Sequence, residues 1–148
     1  VAWRAHRQGT RLELPAQHPF NPLPLLRLAI ACAPAGGTPS RYVVDTLFRH
    51  VWHGGQDAND PARLAALTAL LNPPRDPAGD AVKAELRAAS EAAAARGLFG
   101  VPTIVWGERA FWGDDALPML RAALDGDPWF DGPAWDEVTR VGVGIVRK

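Results

Sequence analysis

The sequence predicts one α/β domain in which helices dominate and a small β element comes late. Three observations carry that reading. Alanine, the strongest intrinsic helix former, supplies 26 of the 148 residues. Apolar side chains form helical stripes from residue 43 to residue 93, whereas a β-branched and aromatic run appears only after Gly100. The composition is that of a globular chain: 47% hydrophobic, 22% charged, with 16 basic residues balancing 16 acidic ones. Neutral balance and a normal apolar fraction argue against disorder.

The helices read in order from their punctuation. Pro22 to Ala33 (PLPLLRLAIACA) is apolar nearly all round and is expected to be a buried helix. Thr38 is expected to cap the next one, with Pro39 in its first turn, and Val43, Val44, Leu47, Phe48, Val51 and Trp52 form its apolar stripe. Asp60-Pro61 repeats the cap-then-proline pattern before Leu64, Leu67, Leu70 and Leu71, and Pro73-Pro74 ends that helix. A longer helix is expected from Asp80 to Arg96, with Val82, Leu86, Ala89 and Ala93 inward and Gly97 as its stop. Val101 to Trp106 then suits a strand, Gly107-Glu108 a tight turn, and Arg109 to Trp112 an antiparallel return. Gly113-Asp114-Asp115 opens a last helix with Leu117, Leu120 and Leu124, and Pro118 in its first turn. The tail from Asp127 closes with Val141 to Val146, read as an edge strand or packing arm.

Several functions are disfavoured at once. Zero net charge without a basic stripe speaks against nucleic-acid and anionic-membrane partners. The longest nearly apolar stretch, Leu28 to Ala35, is far short of the roughly 18 residues of a membrane span. With one cysteine, Cys32, there is no internal disulfide and no dithiol chemistry, and no export signal is read at the start, so a cytoplasmic location is the default. His50, His53 and Asp57 lack the spacing of a zinc site and read as a polar helix end. Ser40 and Ser90 have no nucleophile elbow around them.

Two segments carry more chemistry. Pro102 either starts a strand or sits in a cis bond; in the second case Val101 turns its backbone N–H and C=O outward, ready to pair with a peptide-like ligand. Asp114 and Asp115 follow Gly113 at a helix start, where one aspartate suffices as a cap. The second leaves a carboxylate beside backbone amides, a place suited to a zwitterionic amino-acid head group.

His18-Pro19-Phe20-Asn21-Pro22-Leu23, the pair Phe48 and Trp52 before Gly55, the run Ala95 to Thr103 (ARGLFGVPT) and Phe111-Trp112-Gly113-Asp114-Asp115 together resemble 2-hydroxychromene-2-carboxylate isomerases. These are grouped with kappa-class glutathione transferases and DsbA-like thioredoxin folds. The resemblance implies one partial thioredoxin-like domain over 1–148: a helical insertion at 12–97, a strand-strand-helix at 98–125 and a tail at 126–148. It also implies glutathione as cofactor. Val101 would pair with the cysteinyl part, Pro102 would be the cis residue, Asp115 would receive the γ-glutamyl ammonium with Asp114 beside it, and Asn21 would be the catalytic residue near the thiol. Family members add the thiolate to a conjugated double bond of a small aromatic substrate, then release it after rotation, which splits one hard step into two easier ones. A kappa-type transferase or a non-catalytic binding module are the alternatives. The family's opening strand-helix-strand, with its thiolate-binding serine, has no counterpart here, so the chain is expected to be truncated. A lone hairpin is marginal and exposes edges, so a homodimer, or cover from the Val141 to Val146 arm, is expected.

Overall fold

The computed structural model describes residues 2–139. The Val141 to Val146 arm lies outside the described residues. The order of elements is α1 (Ala2–Arg7), α2 (Leu23–Ala31), α3 (Arg41–Trp52), α4 (Pro61–Leu71), α5 (Asp80–Ala95), β1 (Thr103–Trp106), β2 (Arg109–Trp112), α6 (Leu117–Leu124) and α7 (Pro133–Thr139). Contacts divide the chain into two compact units, Val1–Ala92 and Ala93–Lys148.

In the first unit Leu25 and Leu28 of α2 meet Val51 of α3, Ala58 of the following loop and Leu67 of α4, with Phe20, Cys32, Leu47, Trp52, Leu64 and Leu71 packed around them. Val51 and Leu67 belong to the apolar stripes that predicted α3 and α4. The caps also have identifiable causes. Asp60 accepts the Arg63 N–H at 2.9 Å with Pro61 behind it, as its sequence implied. At α3 the cap is Ser40, whose hydroxyl accepts the Val43 N–H at 3.3 Å; Thr38 and Pro39 precede the helix. The stripes are narrower than expected. Val44, Phe48 and Leu70 are exposed, as are Leu23 and Leu26 of α2. On α5, Val82 is buried while Ala89 faces outward. A helix that packs on one face buries only that stripe, so side chains at the stripe's margin stay in solvent.

Polar side chains tie the loops of this unit to its helices. The Arg75 guanidinium reaches the Ile30 and Ala33 carbonyls at the end of α2, at 3.4 and 3.2 Å, and pairs with the Glu85 carboxylate on α5. Glu85 also accepts the Gly36 N–H at 3.2 Å. Its carboxyl therefore lies below the usual range, chiefly through the Arg75 hydrogen bond. His50 donates from Nε2 to the Ala58 carbonyl at 2.9 Å, and Arg63 donates to the His50 and Asp57 carbonyls. Burial pushes the His50 imidazole below its ordinary 6.5.

The second unit is built on a β1–β2 hairpin. Its two-residue turn places Gly107 at φ +60° in the first central position, where type II′ geometry calls for glycine. The register pairs Thr103 with Trp112, Ile104 with Phe111, Val105 with Ala110 and Trp106 with Arg109. Phe111, 1% exposed, packs with Ala116, Ala123 and Phe130, and with Leu120, Ala122 and Trp135 around them. Arg109 donates to the Phe130 carbonyl at 2.7 Å and to Asp131 at 3.0 Å. The composition of the tail gave no sign of α7 or of the 3-10 turn Pro128–Asp131, which Asp127 caps through the Trp129 N–H at 2.9 Å. α1 was also unread, being polar on most faces.

Two outcomes follow from the first unit. Arg75→Met leaves the α2 carbonyls short of a donor and costs roughly 1–3 kcal/mol, measurable by urea unfolding. His50 and Glu85 both have lowered pKa values, so the unfolded chain binds more protons and stability falls with pH. The decline begins below pH 6.5 through His50, and a second loss sets in through the carboxylate range as Glu85 protonates. In Glu85→Gln the second loss shrinks, and a pH series of unfolding midpoints shows it.

Candidate functional site

The site begins where α5 stops. Gly97, at φ +70°, and Leu98 return their N–H groups to the Ala94 and Ala93 carbonyls at 2.9 and 3.0 Å, the paired bonds of a Schellman ending. The chain then passes Phe99 and Gly100 and reaches Val101, which is 91% exposed. The Val101–Pro102 bond is cis. Among the described residues neither the N–H nor the C=O of Val101 has a partner. The Thr103 hydroxyl donates to the Gly100 carbonyl at 2.6 Å and steadies the approach.

The far end of the hairpin returns to the same place. Gly113 donates its N–H to the Pro102 carbonyl at 2.8 Å, one step beyond the Thr103–Trp112 pair. Gly113 sits at φ +91°, a conformation that side chains strain. A Cβ there would lie 2.6 Å from Oδ1 of Asp115, whose carboxylate folds back over the turn. Asp114, Asp115 and Ala116 form a 3-10 turn that leads into α6, with Pro118 in the first turn as its sequence implied. Asp114 is engaged within the chain. Asp115 is exposed and has no hydrogen-bond partner among the described residues.

The sequence-derived residues Val101, Pro102, Asp114 and Asp115 are thus brought together in one unit. They offer an outward peptide group and a carboxylate, the complement of a peptide-like ligand with a free ammonium. Asn21 belongs to the first unit. Its Oδ1 accepts the Leu23 N–H at 3.1 Å and turns the chain into α2. Cys32 lies half-buried at the end of α2, and burial raises its thiol pKa, the opposite of what a nucleophile needs. Among the described residues no group of three His, Cys, Asp or Glu side chains could hold a metal ion. No described helix is long and apolar enough to cross a membrane.

Sequence reasoning missed a second recess, in the first unit. Leu14, His18, Phe48, Arg49 and Trp52 line it. Its signal was present in the His18-to-Asn21 motif and the Phe48–Trp52 pair, but Phe48 had been assigned to the core.

Helices followed by a hairpin, with a cis proline ahead of its first strand, define a thioredoxin-like protein. The profile of the DsbA-like thioredoxin domain matches residues 2–125. The chain belongs to the DsbA-like thioredoxin domain family. It is similar to a solved structure of selenomethionine 2-hydroxychromene-2-carboxylate isomerase, with TM-score 0.65 and 25% identity over 84% of this chain. The match covers 62% of that isomerase, so this chain spans less than two thirds of its length. No curated protein matches in sequence.

The turn geometry has a direct consequence. Gly113→Ala must hold a side chain at φ +91° and push the Asp115 carboxylate aside, so it destabilises the chain by about 1–3 kcal/mol in urea unfolding. Adding Asp115→Ala relieves the contact but not the backbone, so the double variant recovers only part of that loss.

Proposed function

We propose that this chain carries the glutathione-binding part of a glutathione-dependent isomerase of the 2-hydroxychromene-2-carboxylate type. The observation that supports it most is the Gly113 N–H to Pro102 carbonyl bond, which ties the residue after the unpartnered Val101 to the turn that carries Asp115. The likeness to the solved isomerase supports the reaction class.

In this reading the Val101 N–H donates to, and its C=O accepts from, the cysteinyl residue of glutathione. Asp115 accepts the γ-glutamyl ammonium, and a charge-assisted bond of this kind contributes about 1.5–3 kcal/mol. Asp114 adds negative charge at the same turn. The site residues fit the group: an open peptide edge pairs with a peptide, and the missing Cβ at Gly113 leaves the space that the Asp115 carboxylate fills. Bound glutathione supplies a thiol nucleophile for addition to, and departure from, a conjugated double bond of a small aromatic substrate. By the resemblance Asn21 would be the catalytic residue; its Nδ2 donors remain after Oδ1 is committed to Leu23.

Calorimetry tests the cradle. Reduced glutathione binds with a dissociation constant of about 1 mM or tighter, and Asp115→Ala weakens it at least about tenfold. N-acetylated glutathione, which lacks the ammonium, binds the unaltered chain as weakly as glutathione binds the variant. S-methylglutathione binds like glutathione, because the cradle holds the peptide and not the thiol. Absence of binding at several millimolar, or equal binding of glutathione and its acetylated form, removes the proposal.

A further inference from the structure

A smaller recess lies between α2, α4 and the loop ahead of α5, apart from the one that Phe48 and Trp52 line. Arg27 and Leu28 of α2, Leu64 and Thr68 of α4, and Pro77 with Ala78 of the loop surround it. Its volume is about 230 Å³, below the roughly 300–1,000 Å³ of sites for drug-sized ligands. A water in the liquid takes about 30 Å³, so the space suits roughly seven or eight groups of that size.

Arg27 distinguishes this space from a packing gap. Among the described residues of the first unit three arginines are half-buried: Arg27, Arg63 and Arg75. Arg63 donates to the His50 and Asp57 carbonyls, and Arg75 to the Ile30 and Ala33 carbonyls and the Glu85 carboxylate. Arg27 has no hydrogen bond or ion pair among the described residues, and its Nε is sealed from solvent. A guanidinium does not shed its proton, and a buried donor without an acceptor loses hydration that nothing returns. An anion in the recess supplies this head group with an acceptor and a counter-charge together.

The walls choose among anions. One guanidinium balances one negative charge, and the side chains of Leu28, Leu64 and Pro77 offer no donor to a second. Thr68 spends its hydroxyl hydrogen on the Leu64 carbonyl at 2.8 Å, so its hydroxyl can otherwise only accept. A doubly charged phosphate is poorly served by such a lining, whereas a short alkyl chain gains by leaving water beside leucine and proline. We propose that the recess binds a small aliphatic carboxylate of butyrate size, its carboxylate on the Arg27 guanidinium and its chain against Leu28, Leu64 and Pro77. Bound there, it touches α2, α4 and the loop at once and stabilises the first unit. No residue of the glutathione reading lines this recess, and its test uses no glutathione.

The test is NMR and thermal melting of the full chain with sodium butyrate, neutral butyramide and inorganic phosphate. The sealed Nε–H of Arg27 exchanges slowly and gives a signal of its own. Butyrate shifts that signal saturably, with a dissociation constant on the order of 10 mM or tighter, and raises the melting temperature. Butyramide and phosphate bind at least about tenfold more weakly. Arg27→Met keeps an apolar shaft of similar length and abolishes the rise in melting that butyrate causes. Ala78→Phe, at an exposed position, fills the recess and abolishes that rise with Arg27 in place. The proposal is overturned if butyrate at about 50 mM leaves the Arg27 signal and the melting temperature unchanged. It is equally overturned if butyramide or phosphate binds as tightly as butyrate, or if the rise in melting survives in either variant.

Discussion

The hydrogen bond from the Gly113 N–H to the Pro102 carbonyl is the constraint on which the candidate cradle depends. Proline has no N–H, so this carbonyl is its one polar link to the rest of the backbone. The bond continues the strand ladder by one pair, and that pair joins a peptide edge to an acidic turn. The register itself is fixed elsewhere, by Phe111. A slip of one residue would turn its ring from the Phe130 and Ala123 cluster into water. Packing thus sets the register, and register sets which groups meet.

The first unit is organised by different physics. Its loops are held by side chains: Arg75 closes the end of α2 and draws in Glu85, which in turn holds Gly36. Arg63 and His50 do the same for the loop between α3 and α4. Carbonyls at helix ends lack intrahelical donors, so a guanidinium placed there satisfies several at once. Apart from the Arg75–Glu85 pair, these clamps join side chains to main-chain groups elsewhere in the chain, which periodicity does not reveal.

Much of the fold was legible in the sequence because its signals are local. An all-round apolar run gave α2, apolar spacing gave α3 to α5, Asp60-Pro61 gave a cap, and Gly107 gave the hairpin turn. The choice of Ser40 over Thr38 was not legible, since both are capping residues and only the backbone decides between them. α7 and the aromatic packing of Phe111, Phe130 and Trp135 were hidden because a tail rich in proline and glycine carries no periodic stripe. At the candidate site, residue types suggested Val101 and Asp115, but the bond joining the Val101–Pro102 segment to the acidic turn needed the ladder. Asn21 shows the limit from the other side. Its motif suggested chemistry, and its oxygen closes a turn.

Cys32 gives the first unit an internal reporter. It is the sole thiol of the chain, half-buried at the end of α2 against the Leu25 and Leu28 cluster. With its ionisation suppressed by burial, a thiol-directed dye reacts slowly while the helices stay docked. Labelling rates therefore read out transient subglobal opening of the residues around α2, without any engineered tag and without interference from a second sulfhydryl.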